Sequence, residues 1–155
     1  KTSVEQDGVT LDEFCTALLK GNAASVEVLF TQYMKKTISV RDTFVRKTIK
    51  ENFYHGILLG ILSYKAGWIV NSNKEAGDGF SDIIVRVDDD DVGMIIEVKY
   101  AEADKMEAEC DKALQQIETK NYAEDLRIDG VKTILQYAVA CNRKQCKVKL
   151  QILEC

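Results

Sequence analysis

Apolar residues recur at helical spacing over residues 10–36, and this spacing predicts a helical hairpin. Gly21-Asn22 interrupts the pattern and marks the turn between its two helices. A longer helical pattern covers residues 42–66, with Asp42 or Thr43 as its N-terminal cap and Gly67 directly after its end. The first part of the chain is therefore expected to be helical.

Strand patterns follow, because short runs rich in Ile and Val are bounded by clusters of Gly, Asn and Asp. A polar loop is predicted over residues 71–79, and a turn at 88–93 joins two strands into a hairpin. A second hairpin is predicted near the end of the chain, with its turn around residues 142–144. The predicted strands are residues 68–70, 82–87, 94–100, 133–141 and 147–153.

An amphipathic helix is predicted over residues 104–126, between the two hairpins. A hairpin, a crossover helix and further strands imply both parallel and antiparallel pairing. The predicted fold is therefore α/β, with a mixed β-sheet flanked by helices and an N-terminal helical hairpin. The chain has 155 residues, which is room for one domain, with residues 42–153 forming an α-β-β-β-α-β-β core.

Composition limits the function classes. The net charge is −4 and the pI is near 5.1, so binding of nucleic acid by bulk charge alone is excluded and any phosphate chemistry must be local. One histidine and five scattered cysteines without a CxxC pair argue against a zinc cluster and favour a reducing, cytoplasmic setting. The longest apolar stretch, residues 56–62, is far shorter than the ~20 residues that span a bilayer, so no membrane partner is expected.

The candidate chemistry lies in the first predicted hairpin. Glu97 and Lys99 alternate along one strand and therefore share a face, and Asp82 opens the neighbouring strand. Two carboxylates about 4 Å apart repel by about 4 kcal/mol at an effective dielectric of about 20, so a cation must compensate them. Their hard oxygen atoms suit Mg²⁺ or Mn²⁺, and such an ion with a lysine is equipment for phosphodiester hydrolysis.

These residues carry a family resemblance. Residues 77–83 (Gly-Asp-Gly-Phe-Ser-Asp-Ile) and 95–99 (Ile-Ile-Glu-Val-Lys) resemble the PD-(D/E)XK nuclease superfamily. Residues 51–56, 72–79 and 116–124 look like the nuclease domain at the C-terminus of bacterial AAA-ATPase-like proteins. The resemblance implies a restriction-endonuclease-like fold. It also implies a preceding ATPase-like domain, which fits a chain that begins at Lys1 rather than at Met.

The resemblance also implies roles for particular residues. Asp82 and Glu97 match the metal-binding acids, Lys99 matches the catalytic lysine, and the backbone carbonyl of Val98 is the usual further ligand. Ser81 stands where the motif's name has proline. Further residues are expected at or beside the site: Glu51 in the metal shell, and Gln116 and Asp78 at its border.

Plainer interpretations stand beside these. Glu97 and Lys99 could be a cross-strand ion pair, and Glu51 could simply pair with His55. The second Glu-x-Lys triplet, residues 118–120, is interpreted as solvated surface, and the acidic run 88–91 as a solvated hairpin tip.

A single dense basic patch could contact nucleic-acid phosphates or merely protect an edge strand from aggregation. Its members are Arg143, Lys144, Lys147 and Lys149.

The leading hypothesis is a Mg²⁺- or Mn²⁺-dependent nuclease that hydrolyses phosphodiester bonds in DNA. The alternative is a catalytically silent nuclease-fold module that binds a partner or regulates an attached ATPase-like domain. A small-molecule α/β enzyme ranks last, because the chain has no cofactor loop and no Ser/His or Cys/His arrangement with recognisable spacing.

Overall fold

The computed structural model describes residues 3–37, 47–74, 80–88 and 90–155. The predicted caps Asp42 and Thr43 lie outside the described residues. The helices are α1 (Ser3–Leu19), α2 (Ala23–Thr37), α3 (Lys47–Tyr64), α4 (Met106–Thr119) and α5 (Tyr122–Ile128), with a short 3₁₀ turn at Ala103–Lys105. The strands are β1 (Trp68–Lys74), β2 (Phe80–Val87), β3 (Val92–Tyr100), β4 (Thr133–Asn142) and β5 (Gln145–Glu154).

The predicted N-terminal helical hairpin is present, although α1 begins at Ser3 rather than at residue 10. Gly21 turns the chain between α1 and α2 with a φ of +71°, a conformation that side chains with a Cβ rarely adopt. A Cβ at this position would also lie 3.3 Å from the Leu150 side chain. The Asn22 side chain then accepts a hydrogen bond of 3.1 Å from the backbone N–H of Ser25, which caps the start of α2.

The five strands form one sheet in the order β1-β2-β3-β4-β5. The β3–β4 pair is parallel and the other three pairs are antiparallel. The connection between β3 and β4 passes through α4 and α5, as a parallel pairing requires. The prediction of a mixed sheet flanked by helices is thus confirmed.

The two faces of the sheet have different environments. The main core lies on the face covered by α1, α2 and α3, where Phe30, Leu58 and Tyr137 are among the buried side chains. Two smaller clusters lie on the other face, where α4 and α5 pack over residues such as Ala138 and Ile95. Because alternate residues of a strand point to opposite faces, β2 and β3 each supply side chains to both cores.

The structure also differs from the prediction at β1 and at the helix predicted between the two hairpins. Residues 71–74, which were expected to begin a polar loop, continue β1, because their backbone pairs with β2 as far as Lys74 opposite Phe80, with a register shift after Asn73. The single helix predicted over residues 104–126 is divided into α4 and α5. Asn121 separates them with a left-handed φ of 62°, a conformation that asparagine tolerates better than most residues.

Within the described part of the chain, no helix combines the length and the apolar character needed to cross a membrane.

Candidate active site

The two predicted acids lie next to each other in the sheet. Asp82 on β2 and Glu97 on β3 are direct cross-strand partners, so their side chains project from the same face. The side chains beside them along the strands, Ile83 and Ile96, belong to the main core on the opposite face. Asp82 is 0% exposed and Glu97 is 1% exposed, which makes this a buried carboxylate pair beneath α4 and α5.

Burial and mutual repulsion change the protonation of the pair. The pKa of Glu97 is raised from 4.5 to about 7, mainly by burial and in addition by the negative charge of Asp82. Lys99 and Lys120 act in the opposite direction and keep the shift from being larger. The free energy of the ionised pair therefore depends on nearby positive charge.

Two lysines supply that charge. The Nζ atom of Lys99 lies 3.3 Å from Glu97 Oε1, as expected for two residues on the same face of one strand. The Nζ atom of Lys120 lies 3.3 Å from the same oxygen and 3.3 Å from Asp82 Oδ2. The interpretation of residues 118–120 as solvated surface is therefore wrong for Lys120, although Glu118 is exposed.

The first residue of α5 also reaches the pair. The hydroxyl of Tyr122 is hydrogen-bonded with the side chains of Asp82 and Asn73, and burial raises its pKa. Tyr122 is not among the site residues predicted from the sequence. Both Lys120 and Tyr122 lie within the family-like run 116–124, which is a sequence signal for their involvement. The predicted continuous helix obscured it, because residues two positions apart on a helix point in different directions and would not reach the same carboxylate.

A scan against protein-family models matches residues 49–151 to the PD-(D/E)XK nuclease superfamily. This match covers more than half of the chain, from α3 into β5. The chain belongs to the PD-(D/E)XK nuclease superfamily. No curated protein matches the chain.

Members of this superfamily usually use divalent metals, and the donor atoms at the acid pair fit such an ion. Carboxylate oxygens are the hard ligands that Mg²⁺ and Mn²⁺ prefer. The buried Oε2 atom of Glu97 has no hydrogen-bond partner within the described structure, which is costly unless a cation or a proton satisfies it. Among the described residues no group of three or more His, Cys, Asp or Glu side chains is placed to hold a metal, so the pair would need backbone or water ligands as well.

Glu51 lies on α3, near the end of β3. Its Oε2 atom accepts a hydrogen bond of 3.0 Å from the backbone N–H of Tyr100, the residue after Lys99. Tyr100 lies beyond the last β3 residue that pairs with β2, and Glu51 therefore satisfies a backbone donor at the end of the ladder. His55, one turn further along α3, is buried and contacts the hydroxyl of Ser72 at 2.7 Å.

Of the two residues expected at the border of the site, Gln116 lies one turn before Lys120 on α4 and hence on the same side of that helix. Its buried Oε1 atom has no hydrogen-bond partner within the described structure, so its amide could still bind a ligand group. Asp78 lies outside the described residues, as do the two glycines beside it.

The basic patch is divided by its contacts. Lys147 lies 3.7 Å from a carboxylate oxygen of Glu27, and Lys149 lies 2.8 Å from Asp111. Arg143 and Lys144 form the β4–β5 turn, which the Tyr54 hydroxyl anchors by donating a hydrogen bond of 2.7 Å to the Arg143 carbonyl. The two lysines thus contact acids on α2 and α4, whereas the turn is anchored by α3.

Proposed function

We propose that the chain is a divalent-metal-dependent nuclease that hydrolyses phosphodiester bonds in DNA. The observation that carries the proposal is the buried, directly paired Asp82 and Glu97, with Lys99 at 3.3 Å from Glu97. Burial of two carboxylates with adjacent lysines has a desolvation cost, and ionisable groups in such surroundings cluster at functional sites.

Asp82, Glu97 and the backbone carbonyl of Val98 would hold the metal, and their hard oxygen atoms suit Mg²⁺ or Mn²⁺. When bound, the ion would polarise a phosphoryl oxygen and acidify a water molecule. Glu51 is proposed to position this end of β3 by accepting the hydrogen bond from the Tyr100 backbone, and not to bind the metal itself.

Lys99 is proposed as the catalytic lysine. Its ammonium group is held by Glu97 on one side, while its side chain is 17% exposed and so can meet a substrate from solvent. In that position it would orient the attacking water or stabilise the negative charge that develops on the phosphate. The same contact with Glu97 keeps Lys99 in one orientation before substrate arrives.

The route of the nucleic acid is proposed to run from Lys99 towards the β4–β5 turn. Tyr100 follows Lys99, and the Asn142 amide nitrogen, at the start of the turn, lies within 3.5 Å of its hydroxyl. Lys50 from α3 places its ammonium 4.4 Å from the centre of the Tyr100 ring. Lys50, Arg143 and Lys144 thus offer positive charge on one side of the site, and this local charge would offset the acidic net charge of the chain.

The test is incubation of the purified chain with linear, circular and single-stranded DNA, and with RNA, in Mg²⁺ or Mn²⁺. We expect DNA cleavage that requires the metal and disappears in Asp82→Ala. Cleavage that persists unchanged in this variant would show that the acid pair is not the active site. Comparison of linear with circular DNA would separate exonuclease from endonuclease action.

A second candidate function is a nuclease-fold module without catalysis that regulates an attached AAA-ATPase-like domain. The specific observation in its favour is the Lys120 ammonium, which already contacts both acids. Calorimetric titration with Mn²⁺ discriminates between the two functions, because a pure interaction module does not need to bind metal at Asp82 and Glu97. The five free cysteines fit a cytoplasmic setting for either function.

A further inference from the structure

The C-terminal end of α4 lies against the acid pair. Lys120 follows the last residue of this helix, and its backbone N–H still donates to the Gln116 carbonyl at 3.2 Å. Asn121 then turns the chain through its left-handed conformation, and Tyr122 begins α5. Because Lys120 and Tyr122 both contact Asp82, this turn is attached to the site from two sides.

The Lys120 ammonium lies between the two carboxylates. Its distance of 3.3 Å to Asp82 Oδ2 equals its distance to Glu97 Oε1, so one positive charge bridges two carboxylates from adjacent strands. Both acids are buried, whereas the Lys120 side chain is 23% exposed. A cation reaching into a buried pair of carboxylates meets the electrostatic demand that a divalent metal would also meet.

We propose that Lys120 is a built-in counter-ion of the metal-free site and that it competes with the divalent cation for Asp82 and Glu97. The metal half of this proposal rests on the proposed nuclease function. In the absence of metal the ammonium limits the repulsion between the two carboxylates and holds them side by side. When the metal is bound, the two cations share a small buried region and repel each other, so the ammonium must withdraw or weaken metal binding.

The structure allows such a withdrawal. The ammonium group is carried by a flexible four-carbon stem, and the residue lies at a helix end with part of its side chain in solvent. The inward packing of α4 depends on other residues, which include Cys110, Ala113 and Ile117. Release of the lysine from the acids therefore does not require the helix to leave the sheet.

Thermodynamic linkage gives the consequence. Whatever stability the ammonium gives to the metal-free site must be given up when metal binds, because the two effects are reciprocal. Replacing Lys120 with an uncharged residue should thus destabilise the metal-free chain and tighten its binding of metal. For a coupling of ordinary size, the gain in Mn²⁺ affinity is about tenfold.

The experiment measures Mn²⁺ binding by isothermal titration calorimetry and unfolding by urea, at about pH 8, above the Glu97 pKa of about 7. Lys120→Met is compared with wild type and with Lys112→Met. Lys112 is the matched control, because Lys112 lies on α4, its side chain is 62% exposed, and it pairs with Glu109 on its own helix. Lys120→Gln is the second variant, for use if Lys120→Met does not fold.

We expect Lys120→Met to bind Mn²⁺ about tenfold more tightly than wild type. We also expect it to unfold at lower urea concentration without metal, and saturating Mn²⁺ should remove most of this difference. Lys112→Met should match wild type in both measurements. Equal or weaker Mn²⁺ binding by the Lys120 variants would overturn the proposal and would instead make Lys120 a residue that orients the ligands.

The two proposals fail in different ways. Absence of Mn²⁺ binding in wild type and in both Lys120 variants would refute the metal site itself, and the competition with it. Binding in wild type that is lost in Asp82→Asn, but is not tightened in Lys120→Met, would leave the metal site standing and refute only the competition. Mn²⁺ binding that appears only in the Lys120 variants would support the proposal that Lys120 competes with the metal.

Discussion

Two Glu-x-Lys triplets occur in this chain, and the lysines of both triplets contact the same carboxylate oxygen. Lys99, from the triplet on β3, and Lys120, from the triplet at the end of α4, each lie 3.3 Å from Glu97 Oε1. The glutamates have different surroundings. Glu97 is buried opposite Asp82, whereas Glu118 is exposed and accepts a hydrogen bond of 2.7 Å from the Gln151 amide on β5.

The difference follows from the geometry of the two elements. Residues i and i+2 of a strand share a face, so the glutamate and lysine of the first triplet act together. Residues i and i+2 of a helix point in different directions, so Glu118 reaches β5 while Lys120 reaches β2 and β3. The same three-letter pattern thus forms one unit on a strand and two unrelated contacts on a helix.

The largest effect should come from the strand triplet. Replacing Lys99 with Ala is expected to lower DNA cleavage about a thousandfold, because a group aimed at the developing charge is lost. The fold should be retained, since Lys99 lies at the partly exposed edge of the site. A cleavage assay in Mn²⁺, with circular dichroism to check folding, measures this. Lys112→Ala serves as the control, and full activity in Lys99→Ala would contradict the mechanism.

The buried glutamate of the strand triplet should also make the stability of the chain depend on pH. Because the pKa of Glu97 is raised from 4.5 to about 7, the folded chain binds more protons than the unfolded chain between these values. The contribution of Glu97 to the free energy of unfolding therefore falls as pH rises through this window. Glu97→Gln should remove this contribution, as measured by urea unfolding of the metal-free chain across a pH series.

The matched variant in that series is Glu118→Gln. It should keep the wild-type pH dependence between 4.5 and 7, because it leaves the buried acid unchanged. An identical pH dependence in wild type and Glu97→Gln would mean that Glu97 titrates like a solvent-exposed carboxyl.

A smaller effect is expected at the turn after the helix triplet. Tyr122→Phe removes the hydroxyl that contacts Asp82 and Asn73, and should lower the free energy of unfolding of the metal-free chain by about 1 kcal/mol. Urea denaturation measures the change. Tyr64→Phe is a suitable control, because Tyr64 is 54% exposed. A loss no larger than in this control would mean that the turn is not held to the acid by its tyrosine.

The smallest effect should come from the glutamate of the helix triplet. Glu118→Gln changes only a surface contact with Gln151, so stability should stay within about 0.5 kcal/mol of wild type. Cleavage should change by less than about threefold, since a difference of that size in free energy alters a rate only slightly. A large loss of cleavage would show that Glu118 contributes to the acid-pair site and is not merely a surface residue.

Alternation along β3 was enough to predict that Glu97 and Lys99 share one face, since this depends on local backbone geometry. The hairpin pattern placed Asp82 on the neighbouring strand, and its position directly opposite Glu97 depends on the register of the β2–β3 pair. Helix and strand types were also predictable for the strongly periodic segments, such as the α1–α2 hairpin and the last two strands. The extension of β1 was not, because residues 71–74 are polar and become a strand only through their pairing with β2.

Contacts between distant segments account for the rest of the site. Lys120 is 38 positions away from Asp82 in the chain, and no local pattern indicates that its ammonium reaches that carboxylate. The left-handed turn at Asn121 directs both Lys120 and Tyr122 at one acid, and the pairing of Lys147 and Lys149 with acids on α2 and α4 divides a patch that is continuous in sequence.

The amino-acid order therefore specifies that the two carboxylates lie on neighbouring strands of one hairpin, whereas their burial comes from the helices that cover the sheet. Which cations compensate those carboxylates depends on how α4 and α5 pack over the sheet, since electrostatic attraction acts through space and not along the chain.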